Sequence, residues 1–167
     1  MKRSHLSAVL LGIMLAALMA QTALADRPAR DPALPPPGTV IPLTSGECPF
    51  PVDLLVLANK EYTLTFASGA QIVTGQLSVR ATNVTTGSSV DVSVSGPLFT
   101  SVGGSTLLLS GSTLLFLRAG ETGPGSPGVL WLTRGPVLVD LSGAFLVVKR
   151  AAADASVTDL CAALAGT

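Results

Sequence analysis

A chain of 167 residues with ten acidic and ten basic side chains is long enough for one domain and some appendages. Its zero net charge excludes the clustered basic face of a nucleic-acid-binding domain, so no nucleic-acid partner is expected. Hydrophobic residues make up 48% of the chain, which is enough to build a core and excludes intrinsic disorder over most of its length.

The first element is a targeting segment. Lys2 and Arg3 give a positive start, an apolar run follows from Val9 to Met19, and Ala23-x-Ala25 forms a small-residue cleavage site. This is the layout of a secretory signal peptide over residues 1–25. The competing reading, a membrane anchor, has an apolar core short for the roughly 30 Å hydrocarbon layer. No Cys precedes the cut, so a lipoprotein anchor is not expected, and no later stretch is long and apolar enough to span a membrane. The expected destination is extracellular, with the protein released or loosely associated with the cell surface.

Removing 25 of the 167 residues leaves 142, with 8 basic against 10 acidic side chains after the loss of Lys2 and Arg3. The cut also takes the one histidine, His5, and all three methionines. Without His, neither a Ser-His-Asp nor a Cys-His mechanism is available, nor the usual His-containing zinc or copper site. No cofactor, metal ligand or catalytic residue is assigned. Two cysteines remain, Cys48 and Cys161, and in an exported protein an even count reads as a disulfide. A bridge closing a loop of more than a hundred residues contributes up to about 4–5 kcal/mol in chain-entropy models.

Residues 26–47 hold six of the twelve prolines. Such a stretch forms neither a helix nor an inner strand, and reads as an extended linker or a draped arm. From Val52 to Arg150 the pattern alternates with period two. Tyr62, Leu64 and Phe66 face one way. So do Leu77, Val79 and Ala81; Val90, Val92 and Val94; and Val137, Val139 and Leu141, with polar residues between them. Turn residues separate the runs at Ser68-Gly69, Thr86-Gly87, Gly103-Gly104, Ser110-Gly111, Arg134-Gly135 and Ser142-Gly143. Three more continuously apolar runs, Leu107–Leu109, Leu114–Leu117 and Val129–Leu132, suit strands covered on both faces. The spacing gives about nine strands in about 100 residues, typical of a sandwich or small barrel. The period then changes. Ser156-x-x-Asp159 reads as a capping box, and Val157, Leu160, Cys161 and Leu164 share one side of a short helix over 156–165.

The expected fold is therefore one all-β domain over 48–167 with a C-terminal helix stapled by Cys48–Cys161. The unbroken series of hairpin-like turns favours an up-and-down antiparallel barrel, with a Greek-key sandwich as the alternative.

Several strings have a functional form and a simpler reading. Gly123-Pro-Gly125-Ser-Pro-Gly128 matches G-x-G-x-x-G, but two prolines and a following strand make it a loop. Asn83-Val-Thr85 has the form of a glycosylation acceptor, and Asn83 is read as a turn residue. The carboxylates Asp53, Glu61, Asp91, Glu121 and Asp140 are the remaining acid–base resource, and a glycosidase needs two of them across one cleft. Arg80, Arg118, Arg134 and Trp131 are candidates for a ligand mouth or, more simply, for covering and filling a core.

The segments Cys48-Pro-Phe50, Asn59-Lys-Glu-Tyr62, Thr82-Asn83-x-x-Thr86-Gly87-x-Ser89-Val90, Ser95-Gly-Pro97, Leu114-Leu-Phe116, Gly123-Pro-Gly125 and Val157–Leu164, in that order, cover nearly all of the domain. In this the chain resembles a group of small secreted actinobacterial proteins. The resemblance implies export, one domain and paired cysteines. It implies no activity and carries over no site residue.

The leading functional expectation is a non-catalytic extracellular binding or surface-interaction protein, whose partner is a small apolar ligand or a cell-surface component. A carboxylate-based hydrolase or cyclase-like barrel enzyme requires two acidic groups converging in one pocket. A structural cell-envelope component requires a large exposed apolar patch.

Overall fold

Period-two alternation produces strands here, and glycines decide where each strand folds over. In the computed structural model, residues 27–32, 35–44 and 46–166 are described. The expected signal peptide, residues 1–25, lies outside them.

Fourteen strands and one α-helix are present among the described residues. The strands are β1 (Ala29–Pro32), β2 (Val40–Leu43), β3 (Val52–Asn59), β4 (Tyr62–Thr65), β5 (Gln71–Thr74), β6 (Gln76–Asn83) and β7 (Ser89–Ser95). Then follow β8 (Leu98–Thr100), β9 (Thr106–Leu109), β10 (Ser112–Leu117), β11 (Val129–Arg134), β12 (Val137–Asp140), β13 (Val147–Arg150) and β14 (Ser156–Asp159). Helix α1 is Leu160–Leu164.

The first sheet has the order β1-β4-β5-β8-β9-β12-β13, and the second β14-β11-β10-β7-β6-β3-β2. All pairings are antiparallel. The two orders share one logic. The members of each pair β1/β2, β3/β4, β5/β6, β7/β8, β9/β10, β11/β12 and β13/β14 follow one another in the chain and lie in opposite sheets. The molecule is a seven-strand meander folded over into two layers.

The up-and-down connectivity expected from the turns is therefore present, but the sheets do not close into a barrel, and the architecture is sandwich-like. The count of about nine strands becomes fourteen because several turns are corners rather than hairpins. Ser110-Gly111 and Arg134-Gly135, read as hairpin turns, carry the chain from one sheet to the other. Neighbouring corners touch backbone to backbone. Gly96 (φ +138) and Gly111 (φ +80) lie side by side, and a Cβ on Gly111 would sit 2.9 Å from the Gly96 Cα. Any side chain there would force the two corners apart.

The Pro-rich segment is not an appendage. It supplies an edge strand to each sheet, β1 beside β4 and β2 beside β3, so the fold begins before residue 48. Edge positions tolerate proline because one side of the strand needs no ladder donor. Arg30 lies over the Tyr62 ring at 3.8 Å and helps seat β1.

The C-terminal helix is shorter than the spacing suggests. Residues 156–159 form β14, paired with β11, and the helix starts at Leu160. The cap is Asp159, whose side chain accepts from the Ala162 N–H at 3.2 Å, not Ser156. Val157 thus belongs to the strand. Leu160 and Leu164 are buried, and the Cys48–Cys161 disulfide ties the helix to the chain ahead of β3.

The core has two clusters. The larger lies on the second sheet beneath α1 and includes Leu43, Val52, Leu54, Val79, Ala81, Val92, Leu130, Leu132, Leu160 and Leu164. The smaller joins Leu109, Val137, Val139 and Ala155, with Leu107 and Leu115 packed against them.

Candidate functional site

The larger cluster does not end at the helix. Beyond it, the same strand faces open into a cavity of about 270 Å3. Leu54 and Val56 of β3, Leu77 and Val79 of β6, Val94 of β7, and Leu114 and Phe116 of β10 form its floor. Val73 and Leu98 of the first sheet, and Pro35 and Ile41 of the proline-rich arm, contribute walls. The arm is held there by backbone bonds, Gly38 N–H to Val56 O at 2.8 Å and Val56 N–H to Thr39 O at 2.9 Å. The Asn59 side-chain amide also donates to Pro35 O at 2.9 Å.

Two polar groups interrupt the apolar wall. Glu61, at the corner between β3 and β4, is half-buried at the cavity. Among the described residues its carboxylate makes no ion pair or hydrogen bond, and burial pushes its pKa above the ordinary carboxylate value. Thr113, at the start of β10, is 8% exposed, and its Oγ1 is buried with no hydrogen-bond partner among the described residues. Buried polar atoms are nearly always paired, so this hydroxyl stands out at the cavity wall.

The other sequence candidates do not gather here. Arg80 and Asp91 face each other across β6 and β7 and form a bidentate pair at 2.7 and 2.8 Å on the solvent face. The hydrogen bond from Arg80 holds the Asp91 carboxyl below its usual range. Asp140 accepts from the Ser142 hydroxyl at 2.6 Å and its N–H at 2.9 Å, which lowers its pKa and shapes the turn after β12. Asp53 pairs in register with Thr82 and Pro42 on the second sheet, away from the cavity. Trp131 lines a separate recess with Val137, Val148 and Val157, and Arg134 is exposed at a corner.

Two carboxylates do approach one another, around Arg118. Glu47 Oε1 lies 3.8 Å from Arg118 Nε, and Glu121 Oε2 accepts the Arg118 backbone N–H at 2.9 Å. Glu121 was a sequence candidate and Glu47 was not. Glu47 is 4% exposed, and only the close approach of Gly46 and Glu47 to Ala119 and Gly128, between β10 and β11, reveals that burial. Both groups hold the loop after β10 in shape. Among the described residues no cluster of three or more His, Cys, Asp or Glu side chains is placed to hold a metal ion.

The glycine-rich loop 123–128 links β10 to β11 and leads into a strand. Gly128 is needed because any Cβ there would strike the Gly46 carbonyl. Asn83 does more than turn the chain. It is 2% exposed, its Oδ1 accepts from the N–H groups of Thr85 and Thr86 at 2.9 and 3.3 Å, and its Nδ2 donates to Leu164 O at 3.1 Å. It latches the β6–β7 turn to the end of α1, which leaves its amide no room for a glycan.

No family model, curated protein or solved structure matches this chain.

Proposed function

We propose that this is an exported, non-catalytic protein that binds a small apolar molecule in the cavity beside Glu61 and Thr113. The observation that carries the reading is the cavity itself: an apolar recess, continuous with the core, whose described lining carries one charged side chain, Glu61. Apolar walls with a few convergent polar groups are the common form of small-molecule sites. A volume of about 270 Å3 lies just under the range of drug-sized pockets, so the occupant is small. Binding is favoured over hydrolysis because a two-carboxylate mechanism needs a second acid in the same cleft, and among the described residues Glu61 is the one carboxylate lining this one. Export is supported by the Cys48–Cys161 disulfide, and no helix of the described residues is long and apolar enough to cross a membrane.

The test uses protein recovered from culture medium, whose N-terminus is expected at Asp26. Adding benzene is expected to move the amide resonances of Val79, Val94 and Leu114 and to leave those of β13 in place. Filling the cavity with Leu77→Trp should abolish the shifts. Unmoved resonances in the parent protein, or the same shifts in the filled variant, would overturn the reading.

A further inference from the structure

We infer that the cavity selects cationic ligands, namely small apolar amines whose ammonium group sits against the Glu61 carboxylate while the hydrocarbon lies along Val56, Leu77 and Val94. This rests on the ligand-binding reading above and adds the charge of the ligand.

The argument begins with the lining. Of the described residues that line the cavity, Glu61 alone carries a formal charge. Lys60 precedes Glu61 in the chain but does not line the cavity, and three of the other described cations are engaged. Arg80 is paired with Asp91, Arg118 is beside Glu47, and Arg30 is stacked on Tyr62. A half-buried carboxylate has lost part of its hydration, and that burial raises its pKa. A ligand ammonium restores the lost interaction with charge-assisted hydrogen bonds. A neutral alcohol restores less. An anionic headgroup meets like charge in a partly dehydrated place and is repelled. The backbone at Glu61 is also held. Its N–H donates to Asn59 Oδ1 at 2.9 Å, and the Lys60 N–H donates to Gln76 O at 2.8 Å. Gly75 lies against this corner so closely that a Cβ would contact the Lys60 carbonyl and the Glu61 Cα. The carboxylate therefore stands on a rigid corner, as a binding group must if it is to discriminate.

Thr113, whose Oγ1 is buried, does not take part in holding the ammonium.

The experiment is calorimetric titration near neutral pH with three probes of one length: hexylamine, 1-hexanol and hexanoate. The expected order is amine, alcohol, acid, with the amine about tenfold tighter than the alcohol, the size of effect expected of a partly screened ion pair. Glu61→Gln should bring the amine down to the level of the alcohol and leave the alcohol unchanged. Leu77→Trp should weaken all three. If the three probes bind equally and Leu77→Trp still weakens them, the cavity binds apolar molecules and the cation preference is wrong. If none of the three binds, the ligand-binding reading falls and takes this inference with it.

Discussion

On one half of the second sheet, Leu43, Val52, Ala81 and Leu130 lie beneath α1 at 0% to 5% exposure. On the other half the same strands continue with Val56, Leu77, Val94 and Leu114, and these open onto the cavity. The composition of the two halves is alike, and Leu54, Val79, Leu77, Ile41 and Leu114 belong to both the cluster and the cavity wall. The difference lies in what covers them. A five-residue helix, too short to persist alone, is held over one half by a disulfide and by Asn83. The other half is met by the proline-rich arm and by Val73 and Leu98 of the first sheet, which bury Val56 and Val94 but leave Phe116 46% exposed. An alternating strand face supplies an apolar surface, and a separate element must decide whether that surface becomes core or site. The open half also tolerates an unpartnered Thr113 Oγ1, a cost of about 1–3 kcal/mol that a closed core normally avoids.

The sharpest way to break this contrast is to release the lid. Cys161→Ser opens a loop between residues separated by 113 positions and should lose about 2–5 kcal/mol, with amide protection in Leu160–Leu164 lost before that of β10 and β11. Denaturant unfolding combined with hydrogen exchange measures both. Unchanged midpoints and unchanged protection would show that the helix holds the covered half without its staple.

A smaller effect is expected from Asn83→Ala. It removes the 3.1 Å bond to Leu164 O and the two bonds that shape the turn, and leaves buried groups unpaired. The loss should be about 1–3 kcal/mol, with exchange accelerated at both the 84–86 turn and the end of α1. Acceleration at the turn alone would mean that the latch does not couple the two.

The smallest effect belongs to the open half and has the opposite sign. The folded-state pKa of Glu61 is raised, so between its ordinary and its raised value the folded protein binds more protons than the unfolded chain. Its contribution to stability therefore falls as pH rises through that window, and ionised Glu61 is destabilising above it. Glu61→Gln should raise the melting temperature slightly at neutral pH, and the gain should vanish when the pH drops below the ordinary carboxylate range. A gain that persists in acid would mean that desolvated charge is not its source.

Much of the molecule was legible beforehand, and the failures have one cause. Val92 and Val94 are buried while Asp91, Ser93 and Ser95 are exposed, as the alternation implies. The cysteines pair, and the chain ends in a helix. The turn signals at Ser68-Gly69 and Thr86-Gly87 are hairpins, whereas Ser110-Gly111 and Arg134-Gly135 are corners between sheets. Both kinds use glycine with positive φ, so local chemistry does not tell them apart. The candidate site was the least legible part. Glu61 was one carboxylate among five, and Thr113 carried no signal at all, because its burial depends on a fold line that brings distant corners together.

What the sequence determined by itself is whatever depends on neighbours along the chain: strand faces, turn positions, the cysteine pair and the extended character of the proline-rich arm. Tertiary structure alone decided that the meander folds into two layers instead of closing, that the arm joins both sheet edges, and that a helix covers one half of an apolar face and leaves the other open. Those outcomes depend on contacts between residues far apart in sequence. Gly96 against Gly111, Asn83 against Leu164 and Glu61 beside the cavity are such contacts, and no local pattern encodes them.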